Sequence, residues 1–86
     1  MRAVARGRVQ GVAYRAFSAD AARAEGLAGW VRNRADGSVE AMLEGEPPAV
    51  ERALAALRRG PRFARVDSLE TSDEPAVGES GFEIRY

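Results

Sequence analysis

Residues 28–44, AGWVRNRADGSVEAMLE, decide the fold. Two strand-like runs, 28–34 and 38–44, flank Ala35-Asp36-Gly37. Asp-Gly between such runs is a strong β-hairpin signal. In the second run Val39, Ala41 and Leu43 alternate with Glu40, Met42 and Glu44, the period of a strand with one buried face. Glu40, Glu44 and Glu46 then read as a solvated face. Trp30 reads as core or core edge, since aromatic side chains dominate small cores.

Outward from the hairpin the period changes on both sides. Before it, Phe17, Ala21, Ala24 and Ala28 stand at offsets 0, 4, 7 and 11, which predicts a helix over 15–25 stopped at Gly26. After it, Pro47 and Pro48 suit a first helical turn, and Val50, Leu54 and Leu57 form an apolar stripe. Arg58 and Arg59 sit at the negative end before Gly60-Pro61 stops the helix. Residues 2–8 alternate as a strand, 9–14 form a tight loop, 62–71 form a weakly patterned strand and 72–80 a loop. Phe82, Ile84 and Tyr86 mark a last short strand.

The order β-α-β-β-α-β plus a final β predicts a single α+β domain over 1–86. It is a ferredoxin-like, split β-α-β sandwich: an antiparallel sheet of about five strands with two helices on one face. That fold serves many functions and decides none.

Composition narrows the chemistry. The 86 residues include no Cys, no His and no Lys, and thirteen Arg balance thirteen Asp and Glu. Thiolate, imidazole and Schiff-base catalysis are excluded, as are the usual Zn, Fe–S and haem sites. What remains is Arg, carboxylates, hydroxyls, amides and backbone N–H groups, a set suited to polarising an anion. Zero net charge argues against a nucleic-acid partner. No run of ~18 apolar residues predicts a membrane span, and MRAVARGRVQ lacks the apolar core of a signal peptide. A cytoplasmic protein is the expectation. Gln10 and Asn33 are the only carboxamides. Such depletion with abundant charge is one thermophile pattern; a GC-rich genome would give the same bias.

Residues 7–15, GRVQGVAYR, leave a strand and enter a helix. Helix N-termini present unpaired N–H groups, and a loop whose N–H groups turn inward makes an anion nest. Gly11 permits the backbone such a loop needs. Arg15 opposes the helix dipole, which a bound anion would reverse, and its guanidinium fork matches phosphate oxygens. The ordinary alternative is a solvated Arg covering apolar surface. Asn33 ends a strand, where it is either a turn former or a carboxamide able to hold a water. For Tyr14, packing is the simpler role.

Gly7-Arg8-Val9-Gln10-Gly11-Val12-Ala13-Tyr14-Arg15 resembles the first signature of the acylphosphatases, with Tyr14 where Phe is commoner. Gly29-Trp30-Val31-Arg32-Asn33 followed by Asp36-Gly37-Ser38-Val39-Glu40 resembles the second. Gly60-Pro61 with Ala64 and Val66, and the ending Phe82-Glu83-Ile84-Arg85-Tyr86, extend the resemblance over essentially the whole chain. It implies hydrolysis of acyl phosphates to carboxylate and phosphate, without metal or cofactor. Arg15 would bind the phosphate together with the loop Val9, Gln10, Gly11, Val12, Ala13, Tyr14 and Arg15, and Asn33 would position the attacking water. The implied partners are a small-molecule acyl phosphate and inorganic phosphate, as product or inhibitor; the shortness of the domain, separately, makes a monomer the expectation.

Two other readings compete. A non-catalytic module could bind acyl or carbamoyl phosphate beside a partner enzyme, but such a module has no need of Asn33. An RNA-binding domain of this fold stacks bases on sheet aromatics, and no such platform is visible among the six aromatic residues.

Overall fold

In the computed structural model, which describes residues 1–86, the hairpin joins β2 (Ala28–Asn33) to β3 (Val39–Glu44). The two pair antiparallel from Ala28↔Glu44 to Asn33↔Val39. Asp36 builds the turn: its Oδ1 accepts both the Ser38 N–H at 3.0 Å and the Ser38 hydroxyl at 2.5 Å. β1 (Arg2–Arg8) pairs with β3, and β4 (Arg65–Ser72) pairs with the other side of β1. Helix α1 (Tyr14–Ala24) follows β1, and α2 (Pro47–Arg59) precedes β4. With β5 (Phe82–Arg85) the sheet order is β4-β1-β3-β2-β5.

The ferredoxin-like α+β sandwich is as expected, with one correction. The sheet is mixed, because β5 lies parallel to β2. The reason is directional. β4 runs opposite to β1 and leaves the sheet at the end where β1 enters. Residues 73–81 cross along that end of the sheet to its far edge, where the Gly78 and Glu79 N–H groups donate to Glu44 Oε1 at the end of β3, and the returning strand runs the same way as β2. The loop after β1, the end of β2 at Asn33 and the end of β5 therefore share one edge of the sheet.

Both helices cover one face, α1 over β2 and β5, and α2 over β4 and β1. Helix α2 is built as its sequence suggests, with Pro at its first positions and Val50, Leu54 and Leu57 buried beside Ala49 and Ala53. Helix α1 begins one residue earlier than expected and turns a different face inward. Tyr14, Ser18, Ala19 and Ala22 are buried, whereas Ala24 is exposed and Phe17 lies half-buried in the groove between the helices. Alanines on the buried side let the helix backbone come close to the sheet.

The helix-free face holds two further corrections. Glu40 is only 6% exposed rather than solvated. It accepts from Arg2 Nε at 2.6 Å and from Arg32 Nε at 2.8 Å. Burial alone would raise its pKa, but the two guanidinium hydrogen bonds win and lower it. Trp30 is also on this face and not in the core. The guanidinium groups of Arg32 and Arg85 both lie over its ring, 5.6 and 4.9 Å from the ring centroid.

In β4 the pairing steps from Arg6↔Ser68 to Gly7↔Val66, so Asp67 is an extra residue, a bulge. A Cβ on Gly7 would meet the Arg65 carbonyl oxygen at 2.2 Å, and Gly7 has φ 127°, so only glycine fits against the bulge.

Surface charge is sorted by end. Seven arginines pair with carboxylates, and Arg15 and Arg23 donate to carbonyl oxygens. Arg8, Arg58, Arg59 and Arg62 have neither partner. They gather where β1 ends, α2 ends and β4 begins. Six carboxylates are likewise without a basic partner: Glu44, Glu46, Glu51, Asp73 and Glu74 gather at the opposite end, around the start of α2 and the end of β4, and Asp20 stands apart on α1.

Leu54 lies at the centre of the α2 contact, 1% exposed. Leu54→Ala is expected to cost about 2–5 kcal/mol of unfolding free energy. A urea transition should show this as a lower midpoint at unchanged slope.

Candidate active site

Two buried side chains fix the loop that follows β1. Val9 is in the core, and Tyr14 opens α1 with its hydroxyl donating to the Leu57 carbonyl oxygen at 2.7 Å. Burial pushes the Tyr14 phenol well above its usual pKa, so the donor stays neutral. Between these anchors the chain alternates in hand. Gly11 has φ 73° and Ala13 φ 62°, while Gln10 and Val12 keep the ordinary sign. Alternation of this kind turns successive N–H groups to one side and forms a nest. None of the N–H groups of Gln10 through Ala13 donates to a backbone carbonyl or a side chain. Those of Tyr14 and Arg15 add to them as the first turn of α1. Ala13 is the only non-glycine residue in the left-handed region and caps α1 without a side-chain hydrogen bond. That conformation costs roughly 1–2 kcal/mol and keeps the N–H groups together.

Arg15 stands in the first turn and reaches across to β5. Its Nη1 donates to the Arg85 carbonyl oxygen at 3.0 Å, and its guanidinium carbon lies 4.5 Å from the centroid of the Tyr86 ring. Asn33 ends β2 on the facing side. Its Oδ1 is buried and has no hydrogen-bond partner, an arrangement that costs free energy unless an occupant donates to it.

These groups meet in one open cleft of about 170 Å³. Of the residues singled out from sequence, Val9, Gly11, Ala13, Tyr14, Arg15 and Asn33 line it; Gln10 and Val12 do not. Ala16, Ile84 and Tyr86 complete the wall. Sequence reasoning missed these three, because β5 joins β2 through a crossing that no local pattern reveals. The volume falls below the roughly 300–1,000 Å³ of drug-sized ligand sites. No carboxylate, imidazole or thiol lines the cleft; its donors are N–H groups and a guanidinium, which suit an anion and not a cation.

The comparisons with known proteins agree over the whole chain. Residues 1–84 match the family model described as Acylphosphatase. The chain belongs to the acylphosphatase family. An acylphosphatase of Rhodospirillum rubrum is 53% identical over 76 residues, covering 88% of this chain and 84% of that one. The crystal structure of acylphosphatase from Bacillus subtilis superposes with TM-score 0.94 at 38% identity, covering 99% of this chain and 96% of that one. The same fold makes up 11% of the chain of T. kodakarensis HypF, at 29% identity and TM-score 0.87. As an acylphosphatase the protein is a hydrolase acting on acid anhydrides, as the sequence resemblance implied. No helix is long and apolar enough to cross a membrane.

The turn after Asn33 is acid-sensitive. Hydrogen bonds from the Ser38 hydroxyl and N–H, with help from Arg6, hold the Asp36 carboxyl at about 2. The unfolded value is about 3.9. A lowered carboxyl pKa stabilises the fold fully above the unfolded value and loses that contribution as pH falls to the folded one. The stability difference between wild type and Asp36→Asn should therefore be constant above about pH 5 and shrink between about pH 4 and 2. Urea midpoints across that range would measure it.

Proposed function

We propose that the protein hydrolyses acyl phosphates at this cleft, with the loop N–H groups and Arg15 holding the phosphate and Asn33 holding the attacking water. The observation that carries the reading is the meeting of three things in one small cleft: unpaired N–H groups, a guanidinium and a buried carboxamide oxygen without a donor.

The chemistry needs little more. The phosphate oxygens sit against the inward N–H groups of the Val9–Arg15 loop, and Arg15 supplies two parallel donors from its guanidinium. Asn33 Oδ1 accepts one O–H of the water, which turns a lone pair toward phosphorus. The water oxygen–phosphorus bond forms as the bond from phosphorus to the acyl oxygen breaks, and the electron pair leaves on the carboxylate. The water's proton passes to an oxygen of the substrate phosphate. Phosphoryl transfer has a loose transition state, so positioning and charge stabilisation carry most of the catalysis. A good leaving group and a proton-accepting substrate explain how a chain without His, Cys or Lys can be an enzyme. No metal ion or cofactor takes part, and the protein acts as a monomer in the cytoplasm.

Hydrolysis of benzoyl phosphate in EDTA tests the reading. Wild type should turn over. Arg15→Ala should lose at least about 10²–10³ in kcat/KM, since it removes charge and two donors, and should also bind phosphate more weakly. Asn33→Ala should lose about 10²-fold in kcat while phosphate still protects it against heat. Protection by phosphate with no turnover by wild type would sink the hydrolase reading of this cleft.

A further inference from the structure

Gln10 belongs to the phosphate loop, yet its side chain does not face the cleft and the chemistry above leaves it unused. Its amide nitrogen Nε2 donates to the Arg34 carbonyl oxygen at 2.8 Å and to the Ser38 carbonyl oxygen at 2.9 Å. Those two oxygens close the β2–β3 turn. Ser38 O also accepts the Arg34 N–H at 2.9 Å, and Arg34 O accepts the Gly37 N–H at 3.2 Å. Both hydrogens of the Gln10 amide thus fill second acceptor positions on carbonyls already used by the turn.

The turn starts at the residue after Asn33, and Asn33 forms the last pair of the hairpin with Val39. The backbone from Gln10 to Ala13 makes no hydrogen bond of its own as a donor. A single carboxamide therefore joins the segment carrying the anion-binding N–H groups to the strand end carrying Asn33 Oδ1. We infer that Gln10 is a positioning residue of the reaction: it sets where the bound phosphate lies relative to the water held by Asn33. The inference rests on the roles proposed above for the loop and Asn33. It assigns Gln10 no contact with substrate.

Two substitutions test it. Gln10→Ala removes both hydrogen bonds. Gln10→Glu keeps the shape but sets carboxylate oxygens against two carbonyls. That contact raises the carboxyl pKa, and on protonation one O–H donor returns. With benzoyl phosphate, both variants should lose about 10-fold or more in kcat near neutral pH, because a displacement of about 1 Å between reacting groups can cost 10²-fold. Phosphate affinity, measured by titration of thermal stability, should change little. The ratio of Gln10→Glu activity to wild-type activity should climb as pH falls toward about 5.

Parallel losses in kcat and phosphate affinity, with a ratio flat in pH, would mean that Gln10 merely keeps the loop folded, and would overturn the inference. So would unchanged kcat in both variants. If wild type itself fails to turn over, the hydrolase reading falls on its own. Amide hydrogen exchange gives a second readout. Where wild type turns over, faster exchange confined to residues 34–38 in Gln10→Ala supports the inference, and unchanged exchange there overturns it.

Discussion

The hydroxyl of Tyr14 on the carbonyl oxygen of Leu57 is the contact on which the rest of the site depends. The last carbonyls of a helix have no partner within it, and here one of them, from α2, is met by the first residue of α1. The same phenol fills the core where the two helices and the sheet converge, 2% exposed. One side chain thereby satisfies the end of one helix, fixes the start of the other and holds the far end of the loop after β1. Five residues back, Val9 holds the near end in the same core. With both ends fixed, the short stretch between them can carry the strained backbone of Ala13 and a row of unpaired N–H groups. Loops without such anchors would relax to pair these groups with their own carbonyls or with water.

Much of this was legible in the sequence, because most of it is local. Asp36-Gly37 marked the hairpin, Pro47-Pro48 and Gly60-Pro61 bracketed α2, and the step from strand to helix at GRVQGVAYR marked the loop. The candidate cleft residues Arg15 and Asn33 were also readable, since each is odd in its local setting. The weak pattern of β4 has a physical cause. The bulge at Asp67 puts Val66 and Leu69 on the same face three residues apart, which breaks the period of two that sequence reading relies on. In α1 the bulkiest apolar residue, Phe17, pulled the expected stripe away from Tyr14, Ser18, Ala19 and Ala22. An alanine-rich helix offers several faces of similar polarity, and close approach to the sheet, not hydrophobicity, selects one. Glu40 and the parallel β5 were hidden for another reason. Each depends on partners far along the chain: Arg2 and Arg32 for the carboxylate, β2 for the strand.

The row of unpaired main-chain N–H groups also needs no unusual composition. A peptide N–H needs no particular side chain, only a particular path. Tyr14 and Val9 set that path by packing, Gly11 and Ala13 set it by handedness, and the side chains of Arg15 and Asn33 line the same cleft. Such a site tolerates drift in side-chain identity so long as the path survives. That fits a fold retained at 38% identity with TM-score 0.94.

The sorting of unmatched charges by end gives the molecule a property that its zero net charge conceals. Seen from a distance the protein has no monopole, but it has a dipole. Its positive pole lies where β1 and α2 end and β4 begins, at Arg8, Arg58, Arg59 and Arg62, and its negative pole at the start of α2 and the end of β4. In dilute salt the protein feels a torque in the field of an approaching anion before any contact is made, and it turns its positive end toward that anion. At physiological ionic strength the reach shrinks to about 8 Å, so the same charges act only close to their own end of the molecule and cease to act as a compass.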